Sequence, residues 1–233
     1  MATRGLFVTG TDTGVGKTVV SCAIVAALRA RGLRVGVYKP IETGCTLRDG
    51  RRVGEDCERL AAAAGNVQAA GSVASYLLRE PAAPLVAARA ERLTIDTSRL
   101  VQDYADIAER YDYVLVEGAG GLLVPITEGF SYRELARALE LPVLCVVASR
   151  LGCISHARLT MEAVAAAALP LAGYVINQMQ PAASLADRTN ADVLRELSPA
   201  RPIGRFPLIA PDASPAALAQ LAEKHLTLDA LLG

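Results

Sequence analysis

The chain has 233 residues, of which 52% are hydrophobic, with 24 acidic and 24 basic side chains. That is apolar material for one large α/β domain, and the balanced charge argues against a nucleic-acid partner or a solvating acidic tail. No apolar run is long enough to span a bilayer, Met1 to Gly5 lead straight into a strand without a secretory leader, and Cys22, Cys45, Cys57, Cys145 and Cys153 contain no Cys-x-x-Cys pair, so they read as reduced thiols of a cytoplasmic protein rather than a disulfide frame or a zinc site.

Along the chain the apolar period alternates between strand and helix. Leu6–Val8 predicts a short buried strand, and Lys17–Arg31 a helix with Val20, Ile24, Ala27 and Leu28 on one face and Gly32 past its end. Val35–Tyr38 is a strand halted by Pro40. A polar loop is expected over 42–54, then helices over 55–64, 81–91 and 97–110. Tyr113–Val116 is a strand running into Glu117-Gly118-Ala119-Gly120-Gly121. Residues 142–148 form another strand, 155–168 a helix, 171–176 a strand, 185–197 a helix, 203–206 a short strand and 215–231 a closing helix. Continuous apolar strands separated by helices imply a mostly parallel sheet covered on both faces, with ligands beyond the carboxyl ends of the strands.

The first of those strand ends carries Gly10-Thr11-Asp12-Thr13-Gly14-Val15-Gly16-Lys17-Thr18. A Gly-Lys-Thr between strand and helix is the core of a phosphate-binding P-loop. Glycines let backbone N–H groups turn to phosphate, the lysine reaches the β/γ-phosphates, and the threonine hydroxyl suits Mg²⁺. Five residues separate Gly10 from Gly16, one more than the usual motif has between its glycines. Asp12 stands where partitioning-type ATPases carry an extra lysine, and Asn177-Gln178-Met179-Gln180 lacks the Asn-Lys-x-Asp of guanine readers. Asn177 can still offer a donor and an acceptor to an adenine edge.

Two other strand ends carry charge. Only Lys17, Lys39 and Lys224 are lysines among the 24 basic residues, so a lysine at Lys39-Pro40 marks a place for a compact ammonium facing the ligand crevice. Glu117 suits Mg²⁺ coordination, Gly118 to Gly121 allow close backbone approach, and Asp56 is a second metal candidate. Leu151-Gly152-Cys153-Ile154-Ser155-His156 opens a helix whose free N–H groups can hold a carboxylate, or which Ser155 simply caps.

Taken together, Phe7 to Thr18, Tyr38-Lys39-Pro40 with Thr43-Gly44, Val116 to Gly121, Leu151 to His156 and Ala172 to Asn177 resemble the dethiobiotin synthetase family, in the family's order and over most of the chain to Pro207. The resemblance implies a homodimeric, P-loop NTPase-like ligase that makes a cyclic urea from 7,8-diaminopelargonate, CO₂ and ATP. It implies that Thr13, Gly14, Val15, Gly16, Lys17, Thr18, Val19, Gly118, Ala119 and Gly120 surround the nucleotide phosphates. Lys17 and Lys39 would stabilise the transferring phosphoryl group and the carbamate, and Thr18, Asp56 and Glu117 would hold Mg²⁺. Thr43 would bind the diamine–carbamate end. Gly152, Cys153 and Ser155 would bind the substrate carboxylate across a dimer interface, and Asn177, Phe206 and Pro207 would bind adenine. The family often has serine at Thr43, asparagine at Ser155 and aspartate at Gln178. Rival readings are a corrinoid-amidating ligase of the same P-loop branch and a nucleotide switch that binds protein partners.

Overall fold

The computed structural model of the chain describes residues 4–68, 70–181, 184–210 and 212–232. The start of the chain at residues 1–3, expected to carry no leader, lies outside them. In chain order the elements are β1 (Arg4–Gly10), α1 (Lys17–Ala30), β2 (Val35–Tyr38), β3 (Ile41–Thr43), β4 (Thr46–Arg48), β5 (Arg51–Val53) and α2 (Glu55–Ala63). Then come β6 (Tyr76–Leu78), α3 (Pro84–Ala90), α4 (Thr97–Ala108), β7 (Tyr113–Gly121), β8 (Pro125–Thr127), β9 (Phe130–Ser131) and α5 (Tyr132–Ala138). The chain continues through β10 (Val143–Ala148), α6 (Cys153–Ala166), β11 (Leu171–Asn177), α7 (Leu185–Leu197), β12 (Pro202–Phe206) and α8 (Pro215–His225).

Six strands form one parallel sheet in the order β12-β11-β10-β1-β7-β2. Successive side chains point to opposite faces, and the core divides accordingly. Leu6, Val8, Leu115, Leu144 and Val146 pack with α1, α2 and α8. Phe7, Val114, Val116 and Val143 pack with α3, α4 and α5, while Cys145, Val147 and Ile176 meet α6 and α7. With helices on both faces, the strands carry the unbroken apolar runs seen in the sequence. The chain leaves β1 towards β2 on one side and later crosses to β10 on the other, so a crevice opens at the carboxyl end of β1. No helix among the described residues is long and apolar enough to cross a membrane.

Several elements differ from expectation for identifiable reasons. The 42–54 loop contains a hairpin, β4–β5, turned by Asp49 and Gly50 with φ of 51° and 73°. Asp-Gly with both residues at positive φ is the two-residue hairpin signal, hidden here by the charged, exposed flanks. α5 begins with a capping box, Ser131 and Glu134, which the Ser-x-x-Glu spacing announces. The helix expected over 81–91 starts at Pro84, a residue suited to a first turn. β7 does not turn after Val116: it runs on past Glu117, bends at Gly120 with φ 67°, and after a register shift Gly121 pairs with Gly10. The helix expected from Ser155 begins at Cys153 after Gly152 at φ 90°, with no side-chain cap, so Ser155 lies inside the first turn. The closing helix stops at His225 because Leu226 turns extended and bridges to Gly204.

Candidate active site

β1 delivers the chain into the P-loop, and the Thr11 N–H donates to Val146 O at 3.0 Å, tying the loop to β10. Gly16 has φ 84°, and a Cβ there would lie 2.0 Å from Asn177 Nδ2. Only glycine meets both demands. Asn177, at the end of β11, donates Nδ2 to Val15 O at 2.9 Å, so its side chain braces the loop from beneath. The Val15 side chain is buried in the core. α1 begins at Lys17, and its unpaired N–H groups face the crevice as an anion site. Lys17 is buried, with Nζ 3.4 Å from Asp12 O. Burial lowers its pKa, with Glu117 opposing. Asp12 accepts the Thr13 N–H at 2.7 Å and Arg150 Nη2 at 2.7 Å, and these bonds lower its pKa.

Next to the loop, the end of β2, the middle of β7 and the first turn of α2 bring three charges together. Lys39 is 3% exposed and Glu117 is 0% exposed. Lys39 Nζ lies 2.6 Å from Glu117 Oε1 and 2.5 Å from Asp56 Oδ2, and Thr18 Oγ1 donates to Glu117 Oε1 at 2.8 Å. Burial works against the Lys39 ammonium, yet Glu117 and Asp56 outweigh it and hold its pKa above the usual lysine value. For Asp56, burial is likewise outweighed by Lys39, and its carboxyl sits below the ordinary range. Lys39 is therefore a fixed cation at neutral pH, oriented before any substrate arrives.

A cleft of about 390 Å³ gathers Thr13, Gly14, Gly16, Lys17, Thr18, Val19, Lys39, Thr43, Asp56, Ala119 and Gly120. A second cleft of about 440 Å³ shares Thr13, Thr43, Ala119 and Gly120 and runs to Pro81–Pro84 and Val124. A third of about 440 Å³ continues past Val124 and Leu123 to Leu159 and Thr160 of α6. The third cleft mixes Thr11, Asp12 and Thr160 with the apolar Leu122, Leu123, Val124 and Leu159. Gly118 lies under the floor, where an added Cβ would be 3.4 Å from Phe7 and Tyr132. Gly152, Cys153 and Ser155 do not line these clefts. The Cys153 thiol is buried and its N–H donates to Arg150 O at 3.1 Å, while Ser155 is exposed. Phe206 is wholly buried, its carbonyl accepting the Gln178 N–H at 2.9 Å, and Pro207 beside it is half-buried.

The oxygen set at this site suits a hard cation held jointly with nucleotide phosphates. Glu117 Oε2 is buried without a hydrogen-bond partner among the described residues, and such a group calls for a cation or donor. Thr18 and Asp56 add a hydroxyl and a second carboxylate, which is the limited protein share Mg²⁺ uses beside phosphates and water.

Other residues here escape sequence reasoning. Arg59 of α2 lines the cleft beside Lys17 and Lys39, and nothing in its local pattern marks it. Arg150 reaches Asp12 from 138 residues away. Glu42 is buried and accepts two backbone N–H groups from the start of α2; it belongs to the conspicuous Lys39–Gly44 segment, but its partners are distant in sequence.

A protein-family model described as an AAA domain matches residues 4–216. The ATP-dependent dethiobiotin synthetase BioD of Anaeromyxobacter dehalogenans (strain 2CP-C) is 43% identical over 204 residues, covering 88% of this chain and 90% of the relative. The protein of the same name from Thermodesulfovibrio yellowstonii is 36% identical over 236 aligned positions, covering 98% of each. Among solved structures, the septum site-determining protein MinD of Pyrococcus horikoshii OT3, complexed with Mg-ADP, aligns at TM-score 0.58 and 16% identity over 95% of both chains. FlhF complexed with GMPPNP and Mg²⁺ aligns at TM-score 0.51 and 17% identity, over 96% of this chain and 74% of that one. The structural matches show a shared P-loop NTPase fold; with the site geometry and the curated relatives, they lead to one assignment: the chain belongs to the ATP-dependent dethiobiotin synthetase family.

Proposed function

We propose that this chain acts as a single ATP-binding ligase domain that carboxylates 7,8-diaminopelargonate and closes its ureido ring to dethiobiotin, converting ATP to ADP and phosphate, the penultimate step of biotin synthesis. One amine adds to CO₂, forming an N–C bond and releasing a proton. A carbamate oxygen attacks the γ-phosphorus and ADP leaves. The second amine then attacks the carbonyl carbon, and the C–O bond to phosphate breaks as the ring closes.

The observation that carries the reading is the buried Lys39 ammonium, clamped between Asp56 and Glu117 beside the P-loop. Negative charge builds on the transferring phosphoryl group and on the carbamate, and a preoriented cation in a dry site stabilises it without reorganising. Lys17 and the α1 N-terminus supply the other half of that field. Thr18, Asp56 and Glu117 would hold Mg²⁺, which supplies charge neutralisation on the phosphates when bound. Thr43 stands where the phosphate cleft meets the second cleft, placed to orient the carbamate end of the diamine. Asn177, besides bracing the loop, lies with Phe206 and Pro207 on the side assigned to adenine; Phe206 can take part only through its backbone.

The reading extends to a homodimer in the cytoplasm. The substrate tail is anionic and lies several carbons from the amines. α6 starts at an exposed corner, with Leu151 88% exposed, and offers its Ile154 and Ser155 N–H groups to a carboxylate held mainly by the partner subunit.

The test is phosphate release by purified protein with ATP, Mg²⁺, bicarbonate and 7,8-diaminopelargonate, each omitted in turn. Release that requires all four supports the proposal. Equal release without the diamine contradicts it.

A further inference from the structure

Glu42 has no place in the chemistry above, yet it is 7% exposed beside it. A carboxylate that deep needs strong partners. Glu42 Oε1 accepts the Asp56 N–H at 2.9 Å and Oε2 accepts the Cys57 N–H at 2.9 Å. Both donors belong to the first turn of α2, where N–H groups have no intrahelical acceptor. The preceding Gly54 makes no side-chain cap. A charged acceptor at a helix N-terminus is favourable both as a hydrogen bond and against the helix dipole. Glu42 thus caps α2 from β3, three residues after Lys39 and next to Thr43.

That cap closes a loop of contacts. The backbone amide held by Glu42 is that of Asp56, whose own carboxylate holds Lys39, which holds Glu117, which holds the Thr18 hydroxyl. Without the cap, the first turn of α2 is free to fray, and Asp56 loses its fixed distance to Lys39. Gly54 is part of the device. Its φ is an ordinary −101°, so an alanine there meets no backbone strain. An alanine Cβ would, however, lie 2.2 Å from Glu42 Oε2 and 2.4 Å from its Cδ. Glycine stands there because the carboxylate occupies the space.

We infer that Glu42 is a positioning residue, fixing Asp56 against Lys39 at the phosphate site through two backbone hydrogen bonds to the start of α2. The inference rests on the proposed metal and phosphoryl-transfer role of Asp56.

The experiment compares wild type, Glu42→Gln, Gly54→Ala, Glu42→Ala and the double variant Glu42→Ala/Gly54→Ala. Binding of Mn²⁺ in the presence of ADP is read by electron paramagnetic resonance, alongside ADP affinity without metal, the thermal midpoint, kcat and KM. Glutamine offers one acceptor oxygen for two donors and turns its NH₂ towards an N–H. Glu42→Gln and Gly54→Ala should each weaken Mn²⁺ binding roughly tenfold, the scale of outer-shell changes at metal sites. Each should lower kcat more than it raises the KM for ATP, with metal-free ADP affinity unchanged. In the Glu42→Ala background, Gly54→Ala should add less than about twofold, since the clash is gone and the two sites share one interaction. Wild-type Mn²⁺ affinity in Glu42→Gln, or a full additional effect of Gly54→Ala in the Glu42→Ala background, overturns the inference. So does a parallel loss of metal-free ADP affinity, which marks a general structural defect. The Mn²⁺ arm needs no diamine, so its result stands apart from any failure of the ligase reading in wild type.

Discussion

Lys39 and Glu117 are each other's compensation in a nearly dry site. Removing one partner of a buried ion pair leaves the other uncompensated, at a cost of about 3–5 kcal/mol. Lys39→Met should therefore lose stability by that order as well as turnover by about 10²–10³-fold. Adding Glu117→Gln should restore most of the urea midpoint and none of the turnover. Recovery of both would show that Lys39 acts only by neutralising Glu117. Lys17 behaves in the opposite sense. Its pKa is lowered by burial, so the unfolded chain binds its proton more tightly, and the charge opposes folding when no nucleotide is bound. Lys17→Met should raise the thermal midpoint of the nucleotide-free protein by about 2–4 °C at pH 7 and abolish stabilisation by ATP. The penalty is fully present below the folded pKa. It fades as pH rises from there towards the unfolded value, so stability rises with pH in that window and the gap between the two proteins should narrow. A gap that widens with pH contradicts the assignment.

The helices that hold these side chains depend on packing far from the chemistry. α1 starts inside the P-loop and is backed by α8, whose Leu218, Ala219 and Ala222 share a core with Ala23, Ala26 and Ala27. These small residues permit close approach. Ala222→Leu should cost about 1–3 kcal/mol by overpacking and raise the KM for ATP, since the strain is relieved by shifting α1. Urea unfolding and steady-state kinetics read the two effects; an unchanged KM with full destabilisation would detach α8 from the site. α8 is legible in the sequence as a closing helix starting at Pro215, but the close packing of its small residues on α1 is not, because that contact joins segments far apart in the chain. The parallel strands were legible because burial on both faces writes continuous apolar runs, and Lys17, Lys39 and Asp56 stood out because each lies at a strand end or helix start, whereas Glu117, expected to close its strand, lies inside β7. Glu42 was not: its donors lie 14 and 15 residues on, and in sequence it is one more acid opening a polar loop. The α6 start was misplaced by two residues because Ser155 is the better-looking cap, whereas Gly152 at φ 90° makes the actual turn.

In the whole molecule, the clefts proposed to take the phosphates and amines are not lined by Gly152 or Ser155. If two chains share each site, a Lys39→Met variant mixed with a Ser155→Trp variant should recover activity, to about a quarter of wild type after random mixing of equal amounts. Ser155 is exposed, so tryptophan would obstruct the proposed tail site without disturbing the core. Heterodimers without recovered activity would place the tail site on the chain that carries Lys39. In the proposed reaction, Lys17 and the Lys39–Asp56–Glu117 cluster beside the P-loop direct the γ-phosphoryl group onto a carbamate. The direct measurement follows ¹⁸O from labelled bicarbonate during turnover that is fast against exchange with water. Attack by the carbamate oxygen, followed by ring closure, carries one ¹⁸O from bicarbonate into each phosphate released. Phosphate carrying no label beyond that exchanged through water would mean that ATP is hydrolysed without forming the mixed anhydride, which contradicts the proposed reaction.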